Sequence, residues 1–100
     1  MPHTLTKAAK KTLAMIYKTY LARKKSGRSK RSAVFFDASS ADYKAMQPEL
    51  DECTQELRGA NYIKTFITGG FELTDAGIVF MENLPADTIR EWLTLVAQFI

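Results

Sequence analysis

Residues 62 to 77 read Tyr62-Ile63-Lys64-Thr65-Phe66-Ile67-Thr68-Gly69-Gly70-Phe71-Glu72-Leu73-Thr74-Asp75-Ala76-Gly77, and this stretch decides the fold class. Its first seven residues are mostly aromatic or β-branched and predict a strand over 62–68. Gly69-Gly70 reads as a two-residue hairpin turn, because such turns need positive φ, and Phe71-Glu72-Leu73 opens the return strand. Beyond Leu73 the residues leave two readings open. Gly77-Ile78-Val79-Phe80-Met81 would extend the strand, whereas Thr74-Asp75 would cap a helix running to Asn83. Intrinsic propensity leans towards strand.

Outward from the hairpin the pattern is helical. Pro85-Ala86-Asp87 opens a C-terminal helix over 86–100, in which Ile89, Trp92, Leu93, Leu95, Val96, Phe99 and Ile100 cover an arc of about 160°. An arc that wide either meets two neighbours within the monomer or forms a dimer face, for which Trp92, Leu95, Val96 and Phe99 are the candidates. Upstream, Pro48 suits a first helical position, and Leu50, Cys53 and Leu57 continue to a stop at Gly59. Ala33-Val34-Phe35-Phe36 reads as a buried strand, and Asp37-Ala38-Ser39-Ser40 leads into a short helix over roughly 40–46. Residues 4–25 form the first helix, with Thr4 as cap, Gly27 as stop, and Leu5, Ala9, Leu13, Ile16 and Tyr20 as its apolar stripe.

The net charge of +3 conceals a strong asymmetry. The first thirty-six residues hold ten of the fourteen cations and no acid. The remainder sets four cations against eleven acids, a net of −7. Lys7, Lys11, Lys18 and Lys25 fall within about 40° of one another on the first helix, opposite its apolar stripe. Arg23-Lys24-Lys25-Ser26-Gly27-Arg28-Ser29-Lys30-Arg31 carries six cations in nine residues, and residues 23–32 are expected to be a mobile basic loop. Such segregation is the footprint of a polyanion partner or of a self-complementary assembly.

One hundred residues suffice for a single domain with one core. A lone cysteine forms no internal disulfide, and no stretch approaches the roughly 20 apolar residues of a membrane span. A cytoplasmic protein is the expectation, with no integral membrane segment.

The order helix, strand, helix, helix, glycine-turn hairpin, helix resembles a winged helix. Pro48-Glu-Leu-Asp-Glu-Cys-Thr-Gln-Glu-Leu-Arg-Gly-Ala-Asn-Tyr-Ile63 is similar to the end of a third helix entering the first wing strand. Glu72-Leu73-Thr74-Asp75-Ala76-Gly77 is similar to the Leu-Thr-x-x-Gly stretch that closes many wings and opens a helix. As a whole the chain most resembles the small YjcQ-like winged-helix proteins of bacteria and their phages. The resemblance implies an α+β fold: a winged helix-turn-helix with a three-helix core, a short β-sheet, a Gly-Gly wing and a C-terminal helix. It also implies helix over 75–83, against propensity.

Winged helices commonly lay the third helix in the major groove. Here that helix carries Glu49, Asp51, Glu52 and Glu56, and only Gln55 and Arg58 suit base edges. A nucleic-acid partner, duplex DNA in particular, would therefore meet Lys7, Lys11, Lys18, Arg23, Lys24, Lys25, Arg28, Lys30 and Arg31. That reading makes the chain a phosphate-binding protein of weak sequence specificity, a transcription regulator by class. The alternative is a protein-interaction module whose acidic third helix and apolar C-terminal helix form a docking or homodimer surface.

Enzyme chemistry is not expected. His3 lies near the terminus, Cys53 points inward, and the neighbours Asp51 and Glu52 diverge on a helix. Gly69-Gly70 lacks the Gly-Lys-Ser/Thr context of a phosphate loop. No metal site or cofactor is proposed. Of the aromatics, only Tyr17 and Tyr43 are expected near the surface, which favours duplex over base-stacked single strands.

Overall fold

The hairpin register sets the architecture. In the computed structural model, which describes residues 5–67 and 69–97, Ile63 pairs with Leu73, Lys64 with Glu72 and Thr65 with Phe71. The ladder therefore closes with Thr65 opposite Phe71, and the Phe66 N–H bonds Gly70 O, so the connection is longer than the two-residue turn expected at Gly69-Gly70. This register puts Ile63, Phe71 and Leu73 on one buried face; pairing Thr68 with Phe71 would have put Phe66 opposite Leu73 instead. Phe35 and Phe36 add an antiparallel strand, giving the order β1 (Phe35–Phe36), β3 (Phe71–Leu73), β2 (Ile63–Thr65). Among the described residues the chain is thus α+β, with five helices around a small three-stranded sheet: α1 (Lys7–Lys25), α2 (Lys30–Val34), α3 (Ala41–Gly59), α4 (Asp75–Glu82) and α5 (Ala86–Ala97).

Helix α1 begins later than the pattern implied. Thr6, not Thr4, is its N-cap, accepting from the Ala9 N–H at 3.3 Å. Thr6 in turn donates its own N–H and hydroxyl to the Glu56 carboxylate, each at 2.7 Å. The first turn of α1 contains no acid, so Glu56 of α3 supplies the negative charge that the helix dipole favours there. A charge expected on an exposed acidic face is instead a tertiary cap.

Lys11, Thr12, Leu13 and Ala14 are all buried. Four consecutive helical residues sweep about 300°, so α1 is enclosed on nearly every side at this level. Its neighbours are α3, α5, α2 and α4. This overturns the four-lysine ridge: Lys7, Lys18 and Lys25 are exposed, but Lys11 is 6% exposed.

The two helices expected over 40–46 and 48–59 are one. Ser40 caps α3, accepting from the Tyr43 N–H, and the helix continues through Pro48. Proline has no N–H to offer Lys44, so this continuity costs a hydrogen bond that packing of Met46, Leu50, Cys53 and Leu57 must offset. The helix ends at Gly59 as expected, but Gly59 does not make the turn that follows. Asn61, at φ 66°, makes the left-handed turn, with its N–H on Arg58 O and the Tyr62 N–H on Leu57 O.

Helix over 75–82 prevails against strand propensity. Thr74 accepts from the Gly77 N–H at 3.0 Å and donates its hydroxyl to Asn61 O at 2.6 Å, anchoring the start of α4 to the end of α3. Gly77 faces Tyr62 O so closely that a Cβ would lie 2.6 Å from it. Gly77→Ala should therefore destabilise by about 2 kcal/mol in urea titration, although alanine in an unconstrained helix would gain about 1 kcal/mol. A gain in stability would show that the contact is soft.

One apolar cluster joins all the elements, from Leu5 through Leu13, Ile16, Phe36, Leu57, Phe71 and Met81 to Trp92. Trp92 is 5% exposed and tilts against Phe80 at 5.8 Å, so it is a core residue rather than a dimer contact. The other proposed dimer residues fall outside this description: Phe99 lies outside the described residues, and so do the side chains of Leu95 and Val96.

Candidate nucleic-acid interface

Arg23 is the largest departure from the basic-loop expectation. Its Nη1 donates to Phe35 O at 2.8 Å and Ala33 O at 3.3 Å, and its Nη2 to the Asp42 carboxylate at 2.6 Å. The guanidinium carbon lies 4.2 Å from the Phe36 ring centroid, and the buried Nε has no hydrogen-bond partner. Arg23 therefore ties α1 to β1 and to the start of α3, and it is withdrawn from any phosphate.

Nor is 23–32 a mobile loop. Residues 23–25 complete α1, and Ser29 caps α2 by accepting from the Ser32 N–H. Ala33 and Val34, expected to open a strand, are the buried end of this helix. Only residues 26–29 lie between the two helices. Ser26 closes α1, its N–H on Ala22 O and its hydroxyl on Arg23 O. Apolar burial at the far end of the basic tract orders a segment whose charge suggested disorder.

Lys24, Lys25, Arg28, Lys30 and Arg31 remain exposed along this connection. Lys30 Nζ reaches Asp75 Oδ1 at 2.8 Å, and that hydrogen bond raises the lysine pKa. Both partners are solvated, so the pair exchanges readily with another anion. Among the described residues the other four have no carboxylate partner. Lys7 and Lys18 are exposed elsewhere on α1.

Beside the tract lies a cleft of about 520 Å³ lined by Ser29, Arg31, Ser32, Phe35, Phe66 and Glu72. A second cleft, of about 470 Å³, adjoins it through Arg31 and Glu72 and includes Lys30, Thr74 and Asp75. Phe35, expected in the core, is 41% exposed. The adjacent pair Phe35-Phe36 must point to opposite faces of a strand, and this period-2 signal is what the reading of both as core overlooked. Tyr17 and Tyr43, the aromatics expected at the surface, are half-buried, Tyr17 stacked on Tyr20 and Tyr43 tilted against Phe71.

Cys53 is buried, receives the Thr12 hydroxyl at 3.6 Å, and has its thiol pKa pushed up by desolvation. A neutral buried thiol is a poor nucleophile. Among the described residues no cluster of His, Cys, Asp and Glu is arranged to hold a metal ion, and no helix is long and apolar enough to cross a membrane. Comparison with protein-family models, curated proteins and solved structures finds no match.

Proposed function

We propose that this chain is a small winged-helix protein that binds nucleic acid through phosphate contacts from the α1–α2 connection. The observation that carries the reading is the run of exposed cations Lys24, Lys25, Arg28, Lys30 and Arg31, of which only Lys30 has a carboxylate partner among the described residues. The architecture supports it: β1 lies between helices, pairs with the return strand of a hairpin, and α3 runs directly into that hairpin. Of the four third-helix acids counted against the reading, Glu56 is engaged in capping α1, and Asp42, which the longer α3 adds, holds Arg23. Base readout by α3 is not part of the proposal. Arg23 and Lys11 drop out of the contact set, and Lys7 and Lys18 are peripheral to it.

Five phosphate contacts predict that log K for duplex DNA falls with log salt at a slope of about −4.5. Changing Lys24, Lys25, Arg28 and Arg31 to serine should flatten the slope to about −1 and weaken binding at low salt. The unfolding midpoint should stay put, since all four side chains are exposed. Equal affinity of the two proteins in a salt-titrated anisotropy assay would remove the tract from the function.

A further inference from the structure

We propose that the outer face of the sheet, between α2 and the hairpin loop, is a stacking platform for an unpaired base, so that the preferred nucleic acid is single-stranded. The inference rests on the phosphate-binding reading and adds the base to it. The strand register aligns Phe35, Glu72 and Lys64 across β1, β3 and β2, on the face opposite Phe36, Phe71 and Leu73. Phe66 folds over from the hairpin loop, its ring 5.7 Å from that of Phe35, and the neighbouring Ile67 is fully exposed. This face forms the wall of the cleft whose rim is Ser29 with Arg31 and Ser32 of α2.

The chemistry of the lining selects the occupant. An exposed aromatic beside arginine and serine hydroxyls matches a nucleotide, with the base stacked on the Phe35 ring and the flanking phosphates on Arg31 and Arg28. Glu72 keeps a phosphate off the floor of the cleft. Its carboxylate accepts instead from an exocyclic amino group such as cytosine N4, and Lys64 across the strand offsets its charge. An apolar peptide would desolvate Glu72 without giving it a donor. In a duplex the base faces are occupied by stacking within the helix, so only an unpaired base reaches Phe35.

The test uses the intact protein with fluorescent oligodeoxycytidine of about 12 nucleotides and a duplex of the same length. The single strand should bind more tightly than the duplex. Phe35→Leu, which keeps apolar bulk but removes the ring, should weaken single-strand binding roughly 5- to 100-fold and leave duplex binding unchanged. Phe35→Trp should restore it. Unfolding midpoints verify that each variant is folded, and Phe66→Leu serves as the second probe if Phe35→Leu is not. Equal binding of strand and duplex, or a leucine variant that binds the single strand like the parent, overturns the platform; the latter result leaves the patch as an apolar protein contact. If duplex binding keeps its steep salt slope in those cases, the phosphate reading survives alone. If neither probe shows salt-dependent binding, the phosphate reading itself fails.

Discussion

Arg23→Ala is expected to destabilise the protein by about 3–5 kcal/mol, seen as a lower urea midpoint and a fall in melting temperature of at least about 12 °C. The truncation strips the carbonyls of Ala33 and Phe35 of a charged donor and opens a void over the Phe36 ring. Each buried acceptor left unsatisfied costs about 1–3 kcal/mol. Asp42→Ala should cost less, about 1–2 kcal/mol, because the Asp42 side chain is 49% exposed and Arg23 keeps its carbonyl partners. Arg23→Lys should recover little, since one ammonium cannot span three acceptors set on two nitrogens of a planar fork. The contrast with Lys24, Lys25, Arg28 and Arg31 is diagnostic. Their loss should change binding and not folding, whereas loss of Arg23 should change folding first. Unaltered unfolding of Arg23→Ala together with weakened DNA binding would return Arg23 to the contact surface.

Gly70→Ala is the second large effect, about 2–4 kcal/mol of destabilisation. Two terms add. At φ +87° a side chain costs about 1–2 kcal/mol through the left-handed backbone alone. A Cβ there would also lie 2.5 Å from Phe36 O and 3.2 Å from Ala38 N, both backbone atoms that cannot rotate aside. Gly27→Ala separates the terms: its φ is +99° but nothing lies within 4 Å of the added carbon, so only the backbone strain of about 1–2 kcal/mol should appear. Equal urea midpoints for the two variants would mean that the hairpin loop moves away from β1 at little cost. Because Gly70 precedes Phe71, a shifted loop should also disturb the β1–β3 pairing that positions Phe35.

Much of the fold was legible from local pattern. The apolar spacing of Leu13, Ile16 and Tyr20 defined α1 and β-rich runs flanking two glycines defined a hairpin, whereas the residues around Thr74-Asp75 left strand and helix both open. These features depend on neighbours within a few residues, where backbone preference and capping act. Misreadings arose where a distant residue intervened. The helix ends at Gly59 as expected, but the left-handed turn after it is made by Asn61, whose carbonyl is held by Thr74 at the start of the next helix. The connection at Gly69-Gly70 is longer than a two-residue turn because burial of Ile63 with Leu73 sets the register.

The candidate site divides in the same way. Sequence by itself determined the segregation of charge, the exposure of Lys24, Lys25, Arg28, Lys30 and Arg31, and the presence of a long first helix and a hairpin, because these follow from composition and short-range periodicity. Tertiary structure alone decided that Arg23 is a buried strut, that Lys11 is enclosed, that Glu56 caps α1 and that Phe35 stands on an open sheet face. Each of those outcomes depends on which atoms, ten to fifty residues apart in the chain, come within hydrogen-bond or van der Waals reach. A one-dimensional pattern assigns a residue its helix face or strand side, but the partner across the gap determines whether a charge meets water, a carbonyl or a carboxylate.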